Sequence, residues 1–318
     1  MGKQALCIVS LQALLFCASL GTALGESSAK QASEDSQDTY PSLPGLPEWM
    51  GIAAYADFGY RKTQFYQSDY DTFFFLGDGR LEFWIPPGQK TFSWGPYVRL
   101  AGIDGDRPEA WENAWLALPG AGFQAYPFSL KQLREGMGWL GGLLGPLRLF
   151  AEYNRVDYWG DENRWRPDNQ VRAGAEYWRA LYVNNTTKPL WGEIWSGLFW
   201  QSANEFDKDY DSVIFANALR AGVRIPNAGI LSLFTPYGLL ESSLTDNGAY
   251  YWENRLLAGF GIRVAPRLRY NQGVWLNRLV FYAEYLRVVD YYRTEAPSSV
   301  PDHDFRIGIN LAIGDWYR

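Results

Sequence analysis

From about Gly51 to the carboxyl terminus, apolar and polar residues alternate with a period of two. Between Leu147 and Tyr153, Leu147, Leu149, Ala151 and Tyr153 fall on one face, and Arg148, Phe150 and Glu152 on the other. From Val171, the face of Val171, Ala173, Ala175 and Tyr177 opposes Arg172, Gly174, Glu176 and Trp178. At the end of the chain, Phe305, Ile307, Ile309, Leu311 and Ile313 alternate with Arg306, Gly308, Asn310 and Ala312. Side chains alternate across a strand, so this period predicts strands with one apolar face.

Strand length separates a soluble sandwich from a membrane barrel. Ordinary strands run about 5–6 residues, whereas spanning strands need about 9–11. The alternating segments are long: 92–103, 114–126, 145–158, 168–182, 189–203, 212–225, 235–245, 251–264, 277–292 and 303–314. Residues 80–86 need an upstream partner, either 51–62 or 70–76 across Gly77-Asp78-Gly79. Counting both gives thirteen strands, and single-chain bacterial barrels have even counts. Twelve is therefore expected, with 51–62 first because it alternates better; ten and fourteen are the neighbouring even counts. The fold class is all-β: an antiparallel transmembrane β-barrel of about twelve strands, with apolar residues toward lipid and polar ones in the lumen.

Composition supports the inversion. The chain carries 15 Trp, 21 Tyr and 18 Phe, and Trp and Tyr, each with an apolar body and a polar tip, favour membrane–water interfaces. Arg far outnumbers Lys among the 29 basic residues, which suits fixed, hydrogen-bonded charge. A mean hydropathy of -0.27 is too low for a helical membrane protein. After the start of the chain no window of about 18 uncharged apolar residues occurs. Residues 1–25 have the form of a secretory signal peptide: Lys3, an apolar run from Ala5 to Ser19, and small residues at Ala23 and Gly25. A membrane anchor is the competing reading of that run, and Phe16 before Cys17 fits a lipoprotein site poorly. Both cysteines, Cys7 and Cys17, lie within it, so no disulfide or thiolate metal site is expected beyond it. Residues 26–48, rich in Ser, Glu, Gln, Asp and then Pro, read as a disordered periplasmic tether, leaving 49–318 as the barrel. The net charge of -6 argues against nucleic acid as a partner.

Counting strands back from the carboxyl terminus, with the amino terminus and the last strand end in the periplasm, puts 104–113, 159–167, 204–211, 246–250 and 293–302 in outer loops. Their acidic residues include Asp104, Asp106, Asp161, Glu162, Asp207, Asp209 and Asp211. Such loops are usually plain solvated surface; held divalent cations could also bridge them to lipopolysaccharide phosphates. One inner connection, Ser129 to Leu140, places Leu130, Leu133 and Met137 at helical spacing, suggesting either a short interfacial helix or a bare loop.

A pentad, Ala-Glu-Tyr-x-Arg, recurs at 151–155, 175–179 and 283–287. Its Ala and Tyr share the lipid face, its Glu faces the lumen, and its Arg either returns to the lipid side near a rim or is turned inward by a bulge. The same parity gives a set of lumen charges: Arg148, Glu152, Arg172, Glu176, Glu193, Arg220, Arg224, Glu241, Glu253, Arg255, Arg263, Arg278, Glu284 and Arg306. Trp178, Trp191 and Trp195 share that parity. One reading is an ion-pair network that stiffens a narrow barrel; the other is a charged conduit for a polar solute.

Material for catalysis is thin. The single histidine, His303, stands between Asp302 and Asp304 at the start of the last strand, with no serine marked as its nucleophile. No phosphate-binding glycine loop and no His/Cys metal cluster is seen, so no cofactor and no catalytic residue are expected. Asn184-Asn185-Thr186-Thr187 is most simply a polar turn.

Trp200 to Asp207 and Leu219 to Ile225 resemble the carboxyl-terminal barrel of the bacteriophage adsorption protein family, and are also similar to exopolysaccharide-export barrels. Gly95 to Leu100 and Gly120 to Phe128 share the likeness, which covers about two-thirds of the chain. The terminal Trp316-Tyr317-Arg318 departs from the usual final aromatic of such barrels. The resemblance implies polysaccharide secretion or a surface receptor, with a separate periplasmic repeat protein supplying what relatives carry before the barrel. The expectation is a non-enzymatic barrel of the bacterial outer membrane that passes or anchors a polar solute, a secreted polysaccharide. A structural or receptor barrel with a plugged lumen comes second, and an outer-membrane lipid hydrolase third.

Overall fold

In a computed structural model of the 318-residue chain, the described residues are 47, 49–65, 68–85, 93–105, 114–128, 136–137, 144–158, 168–181, 189–205, 208–225, 228–246, 254–265, 279–291 and 303–314. They form twelve strands: β1 Met50–Phe65, β2 Ser68–Phe83, β3 Ser93–Gly105, β4 Ala114–Tyr126, β5 Leu147–Tyr158, β6 Asp168–Leu181, β7 Leu190–Glu205, β8 Lys208–Val223, β9 Phe234–Thr245, β10 Arg255–Val264, β11 Leu279–Tyr291 and β12 His303–Gly314. Each pairs antiparallel with its neighbours in sequence, and β1 pairs with β12 from Ala53↔Gly314 to Gln64↔His303, closing the barrel. Closure leaves no unpaired sheet edge, the condition for a sheet to cross lipid. A 3-10 turn at Gly229–Leu233 precedes β9.

The wall is inverted relative to a soluble protein. Phe58, Phe73, Leu198, Val213, Phe260 and Ile307 point outward and stay exposed. Glu82, Arg148, Glu152, Glu284 and Asp304, on the opposite parity, are buried within the barrel. A twelve-stranded barrel is wider than an eight-stranded one, whose interior ordinary side chains just fill. Here long Arg, Tyr and Trp side chains occupy the extra width.

Two expectations change. Of the two upstream partners considered for 80–86, 51–62 is the one that pairs, and 70–76 is not a separate strand: β2 runs through Gly77-Asp78-Gly79 without turning, pairing Ala54↔Gly79 and Ala56↔Gly77 with β1. Gly77 lies under the ring of Phe75, so the neighbouring aromatic supplies the bulk the glycine lacks, and Asp78 points to the lumen. The supposed loop 204–211 is also mostly strand, with Asn204↔Asp209 and Glu205↔Lys208 paired. Asp104, Asp209 and Asp211 therefore lie within strands, not loops.

β4 carries the main irregularity. Its register slips against both β3 and β5 around Pro119. Proline has no N–H for the ladder, so the strand bulges there. Gly120 then passes so close to its neighbours that a Cβ would meet the Arg99 carbonyl oxygen at 2.8 Å and Asn154 Oδ1 at 2.9 Å.

The connections are unequal at the two ends. At the end where β1 starts and β12 finishes, 84–92, 127–146, 182–189, 224–233 and 265–278 join the strands; at the far end, 66–67 and 206–207 are two-residue links and 292–302 is the longest. The helix expected within Ser129 to Leu140 lies outside the described residues, apart from 136–137.

Candidate functional site: the lumen

Two ionic networks line the lumen. The first joins β2 to β6. Arg99 binds Asp78 on β2 (2.7 Å) and Glu152 on β5 (2.7 Å), and Arg172 on β6 reaches the same Glu152 oxygen at 3.0 Å. Tyr97 donates its hydroxyl to the other Glu152 oxygen at 2.6 Å, and Asn154 donates to Glu152 at 3.2 Å. Beside them Arg148 bridges Gln124 and Glu176, with its guanidinium over the rings of Tyr97 and Phe150.

The second network joins β7 through β12 to β1. Arg220 on β8 contacts Glu193 on β7, Glu241 on β9 and Glu284 on β11. Arg306 on β12 forks onto both oxygens of Glu241 at 2.9 Å, reaches Glu284 at 3.7 Å, and contacts Asp304 at 2.7 Å. Arg61 on β1 completes it, with two bonds to Asp304 of 2.9 and 2.6 Å. Arg263 on β10 reaches back to Glu193 at 3.5 Å and lies 3.4 Å from the centre of the Trp191 ring. The bidentate forks use the planar donor geometry of Arg, which Lys lacks. Arg220–Glu284, Arg263–Glu193 and Arg306–Glu241 each connect strands three apart, so these pairs cross the lumen rather than run along the wall.

A brace of tyrosine, glycine and carboxylate recurs three times. Tyr97 on β3 pairs with Gly122 on β4, which pairs with Glu152 on β5. Tyr237 pairs with Gly261, which pairs with Glu284, and the hydroxyl donates to Glu284 at 2.7 Å. Tyr282 pairs with Gly308 and donates to Asp57 at 2.9 Å. In each, the phenol lies across the glycine: a Cβ on Gly122, Gly261 or Gly308 would meet the tyrosine at 2.5, 2.6 or 2.8 Å. Only a residue without a side chain leaves room for a ring to cross one strand and reach the next.

Between β1–β2 and β7–β12 lies a cavity of about 310 Å³. It is lined by Arg61, Arg220, Arg255, Arg263 and Arg306, by Asp57, Glu193 and Glu284, and by Tyr55, Tyr237 and Tyr282.

Of the fourteen lumen charges expected from sequence, Arg148, Glu152, Arg172 and Glu176 meet in the first network, and Glu193, Arg220, Glu241, Arg263, Glu284 and Arg306 in the second. Arg255 opens β10 and faces the cavity. Arg224 is buried just past β8, where its backbone N–H donates to the Pro189 carbonyl. Glu253 and Arg278 lie outside the described residues, as do Asp106, Asp161, Glu162 and Asp207 of the acidic loops. Among the described residues no group of three or more His, Cys, Asp or Glu side chains is placed to hold a metal ion. Sequence reasoning missed Asp57, Arg61, Asp78, Arg99 and the three bracing tyrosines. It also left out Asp304, which is buried in the lumen. His303 faces the other way, hydrogen-bonded through Nδ1 to the Tyr285 hydroxyl and stacked on that ring.

A closed, even-numbered antiparallel barrel with an apolar outer wall and an ionic interior is a transmembrane β-barrel of the outer-membrane type. The chain matches no family model and no curated protein. Among solved structures it is similar to the β domain of the Bordetella autotransporter BrkA, at 13% identity and a TM-score of 0.34, covering 83% of this chain and 99% of that one. It is also similar to an outer-membrane channel from Pseudomonas putida F1 (9%, 0.37, 87% and 98%) and to the translocator domain of NalP from Neisseria meningitidis (11%, 0.29, 90% and 97%). What this chain can do follows from its own wall and lumen.

Proposed function

We propose that the chain is a non-enzymatic barrel of the bacterial outer membrane whose lumen passes or anchors a polar solute, with secreted polysaccharide as the solute class. The observation that carries this reading is the lumen cavity, where five guanidinium groups, three carboxylates and three phenols converge. Donors and acceptors at that density suit a hydroxyl-rich chain, and tyrosine rings offer it apolar faces. The cross-lumen ion pairs favour a second reading, a structural or receptor barrel whose lumen is stoppered by its own side chains.

Planar-bilayer conductance separates the two. A conduit gives unitary steps that added oligosaccharides interrupt, and neutralising the crossing pair with Arg220→Met and Glu284→Gln enlarges the steps. Silence from both proteins rejects the conduit and leaves the stoppered barrel.

The orientation belongs to the proposal. An even strand count puts the start of β1 and the end of β12 on one side, which we take to be the periplasm, the side from which the chain enters. Barrels commonly have short periplasmic turns and longer outer loops; here the longer connections lie on the side where β1 starts. The periplasmic face is thus the elaborated one, which suits docking of a separate periplasmic protein of an export system. Residues 26–318 contain no cysteine, so a single cysteine at exposed Asp211 reports the far end. Labelling of Asp211→Cys by a membrane-impermeant maleimide on intact cells is expected; labelling only after outer-membrane permeabilisation reverses the orientation.

A further inference from the structure

On the outward face of the β11–β12–β1 seam, at the end away from the start of β1, three basic side chains form a row. Arg287 and His303 stand opposite one another, and Lys62 stands opposite Phe305, two residues along β12. Arg287 is exposed and Lys62 is 54% exposed. Asp71, 3.8 Å from Lys62, offsets that charge, so Arg287 is the strongest cation of the row.

Toward the middle of the membrane the same seam becomes aromatic. Tyr285 packs on Phe260 with ring centres 5.7 Å apart, Tyr60 on Phe73 at 5.2 Å, and Phe305 is 40% exposed between them. Tyr285 also holds His303 through its hydroxyl. When the phenol donates to Nδ1, the ring keeps its proton on Nε2 and retains a donor for another group.

Cations above an aromatic wall, on the face turned toward lipid, complement an amphiphile with an anionic head. Acyl chains pack against the rings, while phosphate oxygens accept bonds from the guanidinium, ammonium and imidazole groups. The geometry points to a site for the phosphorylated glycolipid of the outer leaflet, held through a lipid A phosphate at Arg287, His303 and Lys62. Assignment to that leaflet rests on the orientation proposed above; the phosphate chemistry of the row does not.

Binding to the full chain in detergent micelles, read by native mass spectrometry, tests the site with bisphosphorylated lipid A and its dephosphorylated form. The double variant Arg287→Gln/Lys62→Gln should bind the phosphorylated lipid at least tenfold more weakly. Arg155→Gln, a cation on the outward face of β5, should bind it as the unaltered chain does. Both variants remain on the lipid side of the wall, and heat-modifiable gel mobility reports that their barrels are intact. Equal binding by the double variant, or equal binding of dephosphorylated lipid A, overturns the site. Phosphatidylglycerol binding as tightly as lipid A overturns the glycolipid assignment. Micelle binding does not depend on orientation, so tight lipid A binding together with periplasmic labelling at Asp211→Cys refutes the orientation and not the row.

Discussion

Single atoms decide whether the bracing tyrosines can work. Tyr97 reaches Glu152 because Gly122, on the strand between them, has no Cβ; one added there would lie 2.5 Å from the ring. Gly122→Val must push the phenol aside, breaking its bond to a carboxylate and overpacking the wall. Each effect costs roughly 1–3 kcal/mol. Tyr97→Phe keeps the ring and loses only the hydrogen bond, so its cost should be smaller, about 1.5–3 kcal/mol. Urea unfolding in lipid vesicles checks the order: Gly122→Val below Tyr97→Phe below the unaltered chain. Equal stability of Gly122→Val and the unaltered chain would show that the ring has another place to go. Sequence could not reveal this brace. Tyr97, Gly122 and Glu152 are far apart in the chain, and only the registers of two ladders bring them into line.

At the scale of the strand, period two made most of the architecture legible. Once Arg148 or Arg306 is taken as inward, every second residue of its strand follows, because a register slip would reverse the whole face. Period two is least informative at a strand's ends and where turn-like residues interrupt it. Gly77-Asp78-Gly79 has turn composition, yet β2 continues through it under cover of Phe75, and cutting the strand there hid Asp78, the partner of Arg99. Asp304 enters the sequence reading only as a neighbour of His303, not as a lumen charge. Counting back two from Arg306 places it inside, and His303, one residue earlier, outside. The same alternation sets the cost of charge on the wall. Phe58, 56% exposed near the middle of β1, faces lipid. Phe58→Arg should cost about 2–4 kcal/mol, the penalty for a cation near the bilayer midplane, while Phe58→Leu stays within about 1.5 kcal/mol. Reversible unfolding from vesicles measures both, and near-equal values would mean that this face is not against lipid.

For the whole molecule, the two networks share the interior with two small apolar clusters, one around Leu239, Leu257 and Leu286 and one around Phe150, Phe199 and Ile214. Carboxylates and guanidinium groups there are shared rather than paired off. Arg220 serves Glu193, Glu241 and Glu284, while Arg306 serves Glu241, Glu284 and Asp304. Removing one member therefore strands several others. Arg220→Met leaves three carboxylates with only Arg263 and Arg306 among these partners, and breaking a buried pair from one side costs about 3–5 kcal/mol. The half-buried positions of Arg220 and Glu193 put this case at the low end. Adding Glu284→Gln removes one stranded charge and leaves an amide oxygen that can still accept from Tyr237, so the double variant should recover about 1 kcal/mol or more of the loss. A non-additive recovery of this kind requires that charges on β8 and β11 act on each other across the lumen. If the two changes instead add, as they would for independent groups on a wide, water-filled wall, the network does not span the barrel and the case for a stoppered lumen falls with it.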